Sequence, residues 1–371
     1  MNFNLTDDQR ALIETVAKFA ASTGARRPDD GHAEATVAGT IARWQQMAEL
    51  GMAGLLIAEA DGGIGMTMAD AVLVCEALGQ SLAQEPFVTV AVVAPVLIDM
   101  CIDPDVRAQQ LAAIGQGSVR MALACDESVL EFRTSEPSAR VVQDGDVLRL
   151  SGIKNIVVDG AAATHFIVTA QHEGLGPNAY LCAADQQGVE VTPVRGLDGG
   201  WLAQVVFDDA AVDAPLFDSG AAMANIERAI DHGIVALCAE ALGLMNRMLT
   251  LTASYLQTRQ QFGKPIGNFQ ALQHRFAEMV VAAEQARSAT FMAAAALAED
   301  DARVRKLDVS AAKSMVSRYG RGVLEGAIQL HGGIGITDEY ELSRYVRRML
   351  EIEKTWGDAI DHEARFAKLV E

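Results

Sequence analysis

The sequence predicts an α+β chain, helical at both ends with a β block between, and three observations carry that prediction. Apolar residues recur at helical spacing up to about residue 117. Short β-rich runs separated by turn residues fill about 118–213. Helical spacing returns from about residue 217 and continues to the end. At 371 residues the chain exceeds one typical core, so these blocks are read as domains at 1–117, 118–213 and 214–371.

In the first block Thr6 is placed to cap a helix, with Asp7 and Asp8 in its electropositive first turn. Helical patterns run through IARWQQMAELGMAGL and MADAVLVCEALGQSL, and the glycine-rich IAEADGGIGMT between them reads as a turn. The second block offers RMALAC, RVVQDGDVLRLSG, KNIVVDG, THFIVTAQ, NAYLCAA and LAQVVFDD as strands. Gln143-Asp144-Gly145-Asp146 is a hairpin turn, because Asp-Gly supplies positive φ at little cost. Many short strands in so small a block form a barrel or a sandwich. The third block holds four long apolar-faced stretches, beginning AMANIERAIDHG, FQALQHRF, VSAAKSM and YELSRYV, which read as an antiparallel four-helix bundle.

Composition narrows the function classes. Half the residues are hydrophobic and only 5% aromatic, which suits an Ala/Leu/Val-rich helical interior. A formal net charge of -19 opposes binding to nucleic acid or anionic lipid. Cys75, Cys101, Cys125, Cys182 and Cys238 are odd in number and form no CxxC, so free thiols in a reducing compartment are expected, with no metal site. The N-terminal stretch MNFNLTDDQRALIETVAKFAAS carries acids on an amphipathic period and resembles no leader peptide. No uncharged apolar run is long enough to span a bilayer, and the one near 88–98 contains Pro95. A cytoplasmic protein without membrane insertion is expected.

Residues 259–270, RQQFGKPIGNFQ, are the most informative stretch. Arg259 supplies a permanent cation with a planar donor fork that suits phosphate. Phe262 offers a flat apolar face, and Gln270 has an amide able to read a purine or amide edge. Taken alone, RxxFG is an ordinary helix–loop–helix connection. A second string, QLHGGIG from Gln329 to Gly335, sets Gly332 and Gly333 after a helix, where backbone can approach a ligand without Cβ interference. A GGxG by itself is usually a helix C-cap.

Together these strings, with the helix–β–helix order, resemble the acyl-CoA dehydrogenase family over nearly the whole chain. The resemblance implies a helical N-terminal domain, a middle β-barrel and a C-terminal four-helix bundle. It also implies FAD as cofactor, with Arg259, Phe262, Gln270, Gln329, Gly332 and Gly333 in flavin binding at a site completed between subunits. The implied reaction is α,β-dehydrogenation of an acyl-CoA thioester in lipid β-oxidation. A carboxylate base takes the α-proton, the β-hydrogen leaves as hydride to the flavin, and an electron-transfer protein reoxidises it.

The chain departs from the family at the chemistry. The customary base aligns with Trp356 in Trp356-Gly357-Asp358, and an indole cannot abstract a proton. The alternative base position aligns with about Gly233, again without a carboxylate. Where the family covers the flavin ring, this chain has Ala124-Cys125-Asp126-Glu127-Ser128 and Lys154-Asn155-Ile156-Val157-Val158. Cys125 and Val158 replace hydroxyls, Ile156 replaces an aromatic, and Asp358 puts an anion near the flavin tail.

Two readings follow. The favoured one is a subunit that completes FAD sites on a catalytic dehydrogenase partner, as the small subunits of pimeloyl-CoA and steroid side-chain enzymes do. The other is a self-sufficient dehydrogenase, a homotetramer by family precedent, with a relocated base: Glu240 first, then Asp231 or Glu353. A flavoprotein of this fold with different chemistry, and a flavin-free helical scaffold, are further alternatives. His331 and His362 lack ligand spacing. Asp338 and Glu339 are read as capping the last helix.

Overall fold

The computed structural model describes residues 5–23, 33–128 and 136–371. The first four residues of the N-terminal stretch therefore lie outside the described residues. In chain order the elements are α1 (Asp7–Thr23), α2 (Ala33–Glu49), α3 (Met68–Gln80), a π-helical turn (Val88–Val93) running into α4 (Ala94–Asp99), and α5 (Pro104–Gly115). Then come β1 (Met121–Ala124), β2 (Arg140–Asp144), β3 (Val147–Val158), β4 (His165–His172), β5 (Gly176–Ala183), β6 (Val189–Arg195) and β7 (Trp201–Val212). The rest is α6 (Ala222–Thr258), a small hairpin of β8 (Gln260–Gln261) and β9 (Lys264–Pro265), α7 (Gln270–Ala296), α8 (Ala302–His331), α9 (Leu342–Lys354) and α10 (Ala359–Val370).

The chain divides into two compact units. One comprises Arg27–Ala71 and Gln84–Gly233, and its centre is the sheet. Strands run in the order β1-β4-β2-β3-β7-β6, with β5 also on β4. A bridge from Asp126 to Ile156 ties the chain after β1 to β3, so the sheet curls on itself. Phe166 and Phe207 meet edge to face at 6.2 Å in its core, beside Leu150, Val205 and Tyr180. The hairpin turn forms one residue later than the sequence places it: Asp144 pairs with Val147, so Gly145, at φ 60°, and Asp146 are its two turn residues. In the same unit Arg107 grips both oxygens of Asp61 at 2.9 Å and so fastens the glycine-rich turn.

The other unit comprises α1, Val72–Ala83 and Ile234–Glu371. Thr6 and Gln9 cap α1 reciprocally, at 3.2 and 3.1 Å. The backbones of α3 and α6 approach closely because both present glycine. A Cβ on Gly79 would lie 2.1 Å from the Glu240 carbonyl oxygen, and one on Gly243 would lie 2.1 Å from that of Glu76. Glu76 then takes the Arg287 guanidinium at 2.9 and 2.8 Å and the Asn246 amide at 2.8 Å, joining α3, α6 and α7.

Four other sequence expectations change. The fourth long helix is two, α9 and α10, broken where Trp356 and Gly357 take φ 55° and 95°. Asp358 restarts the helix through a capping box with Asp361. The third starts earlier than VSAAKSM, because Asp301 caps it through the Arg303 amide at 2.8 Å. Asp338 and Glu339 do not cap α9: its N-cap is Glu341, with no side-chain cap, and Asp338 pairs instead with Arg347 at 3.0 Å. Finally, among the described residues one helix does reach spanning length and apolarity: α6, with mean hydropathy 1.5 in its most apolar window. Since 78% of that window is buried within the protein, α6 serves as a core helix.

Candidate functional site

The Arg259 string folds as a tight hairpin at the end of α6. Gln260 pairs with Pro265 and Gln261 with Lys264, leaving Phe262 and Gly263 as the two turn residues, at φ 54° and 77°. Two left-handed residues in succession match the twist of a two-residue hairpin. Glycine accepts that conformation without strain, whereas a side chain there costs roughly 1–2 kcal/mol. Phe262 is nonetheless 90% exposed. Its ring meets Phe269 edge to face at 6.0 Å, and the Lys264 ammonium sits 4.4 Å above the Phe269 ring. Arg259 is exposed and makes no ion pair among the described residues. Gln270, also exposed, opens α7.

The second string ends α8. Gly332 has φ 66° and ψ −145°, a backbone state only glycine adopts readily. A Cβ added to Gly332 or Gly333 would meet nothing within 4 Å, so both face open space, and Gln329 is exposed on the last turn of α8. The ring of His331, next to Gly332, stacks on Tyr255 at 4.6 Å. Tyr255 lies one helical turn before Arg259 and accepts its backbone N–H at 2.8 Å. This stack brings the two strings to the same end of the helical unit, with all six of their singled-out residues exposed.

The candidate base positions are different. Trp356 is 6% exposed at the corner between α9 and α10, and its carbonyl receives the His362 Nε2–H at 3.0 Å. Burial pushes His362 down to about 4. Glu240 is buried, but both carboxylate oxygens accept from Arg348, at 2.6 and 2.8 Å. A bidentate guanidinium occupies the lone pairs that a base would use. Glu353 is held by a single Arg321 nitrogen, Nη2, which donates to both of its oxygens at 2.9 and 2.7 Å, and Asp231 is fully buried. Asp358 caps α10 and pairs with Lys354 at 2.7 Å. Buried Lys313 donates to the Ile352 carbonyl near the end of α9, and burial pushes it down to about 8.

The segments 124–128 and 154–158, expected from the sequence to lie where a flavin ring would be covered, are bonded to each other. Lys154 is fully buried and donates to Glu127 at 2.5 Å and to Thr169 at 3.0 Å. Glu127 also accepts the Ser138 and Ala139 amides at 2.6 and 3.1 Å. Asn155 donates to the Glu127 carbonyl at 2.6 Å and accepts from Gln204 at 2.8 Å. Burial raises the Cys125 thiol to about 12 and Asp126 to about 6. The polar groups here are spent internally, on a network that sequence reasoning missed. The available signal was phase: Lys154 shares the inward parity of Leu148 and Leu150 on β3.

Comparisons with known proteins bear on these sites. The family model "Acyl-CoA dehydrogenase, N-terminal domain" matches residues 6–118, and "Acyl-CoA dehydrogenase, C-terminal domain" matches 220–357. The chain is 31% identical to acyl-CoA dehydrogenase IpdE2 of Mycobacterium tuberculosis, over 92% of this chain and 91% of that protein. Among solved structures it is similar to a variant of the Tcur3481–Tcur3483 steroid ACAD, with TM-score 0.85 and 26% identity over 98% of each chain. It is also similar to the ChsE4–ChsE5 complex of Mycobacterium tuberculosis, with TM-score 0.87 and 24% identity over 100% of this chain and 99% of that one.

Proposed function

This chain belongs to the acyl-CoA dehydrogenase family, whose enzymes are oxidoreductases acting on the CH–CH bond of acyl-CoA, and from that premise we propose that it completes FAD sites on a catalytic partner subunit. One contrast carries the reading. The residues that would face a neighbour's flavin are exposed together, whereas the ring-covering segments are closed on themselves and the customary base is Trp356.

The residues present fit the ADP half of a flavin. An exposed guanidinium, two glycines with open space above them, an exposed aromatic and two exposed amides suit a diphosphate and a heteroaromatic edge. In this reading Arg259 neutralises phosphate charge, Phe262 covers an apolar face, and Gln270 and Gln329 donate to polar edges. Gly332 and Gly333 admit close approach of the backbone. FAD, when bound, supplies the hydride acceptor for α,β-dehydrogenation of an acyl-CoA thioester.

The partner brings the carboxylate base and the ring cover, and an electron-transfer protein takes the electrons onward. The similar ChsE4–ChsE5 structure is a complex, which agrees with a hetero-oligomer; a homotetramer is the alternative assembly. The division at 1–117, 118–213 and 214–371 and a cytoplasmic location belong to the same proposal. The Arg348 clamp counts against Glu240 as a relocated base.

The test is made in the co-expressed complex. Arg259→Ala combined with Phe262→Ala in this chain lowers the FAD retained per complex without dissociating the subunits. Unchanged FAD content would overturn the reading.

A further inference from the structure

Beneath the two exposed strings lies a buried group with no part in the reading so far. His331 is 3% exposed. Its Nδ1 lies 2.8 Å from the Ala327 carbonyl oxygen, which can only accept, so Nδ1 carries the proton. In the neutral ring Nε2 then keeps its lone pair, and the Tyr340 hydroxyl donates to it at 3.2 Å. Burial holds the ring below its ordinary pKa against the opposing pull of the Ala327 and Leu251 main-chain carbonyls, which favours the neutral ring. The ring stacks on Tyr255 at 4.6 Å and meets Tyr340 at 5.1 Å.

Each neighbour leads to one of the strings. The Tyr255 ring belongs to the last turn of α6, whose backbone runs straight into the hairpin: the Tyr255 main-chain carbonyl accepts the Arg259 amide at 2.8 Å, and the Arg259 carbonyl accepts the Ile266 amide at 2.8 Å. His331 itself precedes Gly332, and Tyr340 closes the segment that begins there. A turn opening on two exposed glycines has many backbone states of its own, and only an anchor at both ends gives it one.

We propose that His331 is a positioning residue that fixes the Arg259 hairpin and the Gly332–Gly333 turn in one relation, as the surface offered to flavin; this last clause rests on the proposed function above. His331 touches neither the cofactor nor the reacting atoms. Its ring face couples to the hairpin, and its Nε2 couples to the glycine segment.

The split between face and edge gives the test. Wild type should show a pyrrole-type Nδ1 and a pyridine-type Nε2 by nitrogen NMR at neutral pH. His331→Phe keeps the stack and loses both hydrogen bonds, so amide exchange should rise by roughly tenfold in 332–340 alone. His331→Ala also loses the stack, so exchange should rise in both 259–266 and 332–340 while mid-helix amides of α7 keep their wild-type rates. Unchanged exchange at 259–266 in His331→Ala, or a uniform rise across the helical unit, would overturn the proposal.

FAD titrated onto the assembled complex gives the second readout. Affinity should fall most in His331→Ala and less in His331→Phe, and equal affinity in all three proteins would also overturn positioning. A wild-type complex that takes up no FAD, with the exchange pattern intact, would instead remove the flavin reading and leave the coupling standing.

Discussion

Arg348 holds both carboxylate oxygens of Glu240, at 2.6 and 2.8 Å, and makes the most suggestive acid of the apolar α6 helix part of an ion pair. Removing Glu240 strands the Arg348 guanidinium, whose side chain is 23% exposed. Glu240→Leu should therefore lower unfolding free energy by about 2–3 kcal/mol, below the range for a fully buried charge, and adding Arg348→Met should restore most of it. Urea denaturation of the single and double variants measures this. A single variant that keeps its stability but loses turnover would make Glu240 a base.

His362 gives the helical unit an acid-side liability. Its folded pKa is about 4 against an ordinary 6.5, so between those values the unfolded chain binds the proton that the folded one refuses. Stability is then full above about pH 6.5 and falls as pH drops toward 4, by roughly 3 kcal/mol. His362→Gln should flatten that part of the stability–pH curve. An unchanged slope in the variant would place the sensitivity elsewhere.

Placing a carboxylate at Trp356, where the sequence resemblance expects the base, should not make the chain alone a dehydrogenase. Trp356 is 6% exposed with φ 55°, at a helix corner that its indole fills. Trp356→Glu should cost roughly 3–5 kcal/mol from lost packing alone. It should leave the purified chain unable to bleach flavin with acyl-CoA. Bleaching by this variant would mean that the chain keeps a working ring site.

Lys154 tests the closed ring half from the other side. Lys154→Met strands Glu127 and should destabilise the sheet unit by roughly 3 kcal/mol, while the FAD content of the hetero-complex stays at the wild-type level. A loss of FAD matched to the loss of this pair would place flavin against the sheet of this chain.

Much of the architecture was legible in local pattern. The 3.6-residue period marked α6 from Ala222 to Thr258, and Asp144-Gly145 marked the β2–β3 turn to within one residue, because both signals lie within a few residues of what they determine. The break between α9 and α10 escaped because Ile352, Trp356 and Ile360 continue helical spacing straight across it. Only Gly357 and the Asp358–Asp361 box betray it, through φ 95° and a cap.

At the candidate site the exposed strings were legible because their chemistry sits in consecutive residues. The groups that hold or neutralise them were not. Arg348 on Glu240, Glu127 on Lys154 and Tyr255 on His331 are each joined across distant stretches of chain. Nothing local in either partner specifies the other.

On the proposed function this chain offers half a flavin site and lacks the other half. Flavin absorbance of the purified chain alone, then of the chain co-purified with a catalytic dehydrogenase subunit, tests it most directly. A colourless or strongly substoichiometric chain alone, with FAD in the complex, is the expected result. One FAD per chain in isolation, bleached anaerobically by an acyl-CoA, would contradict it.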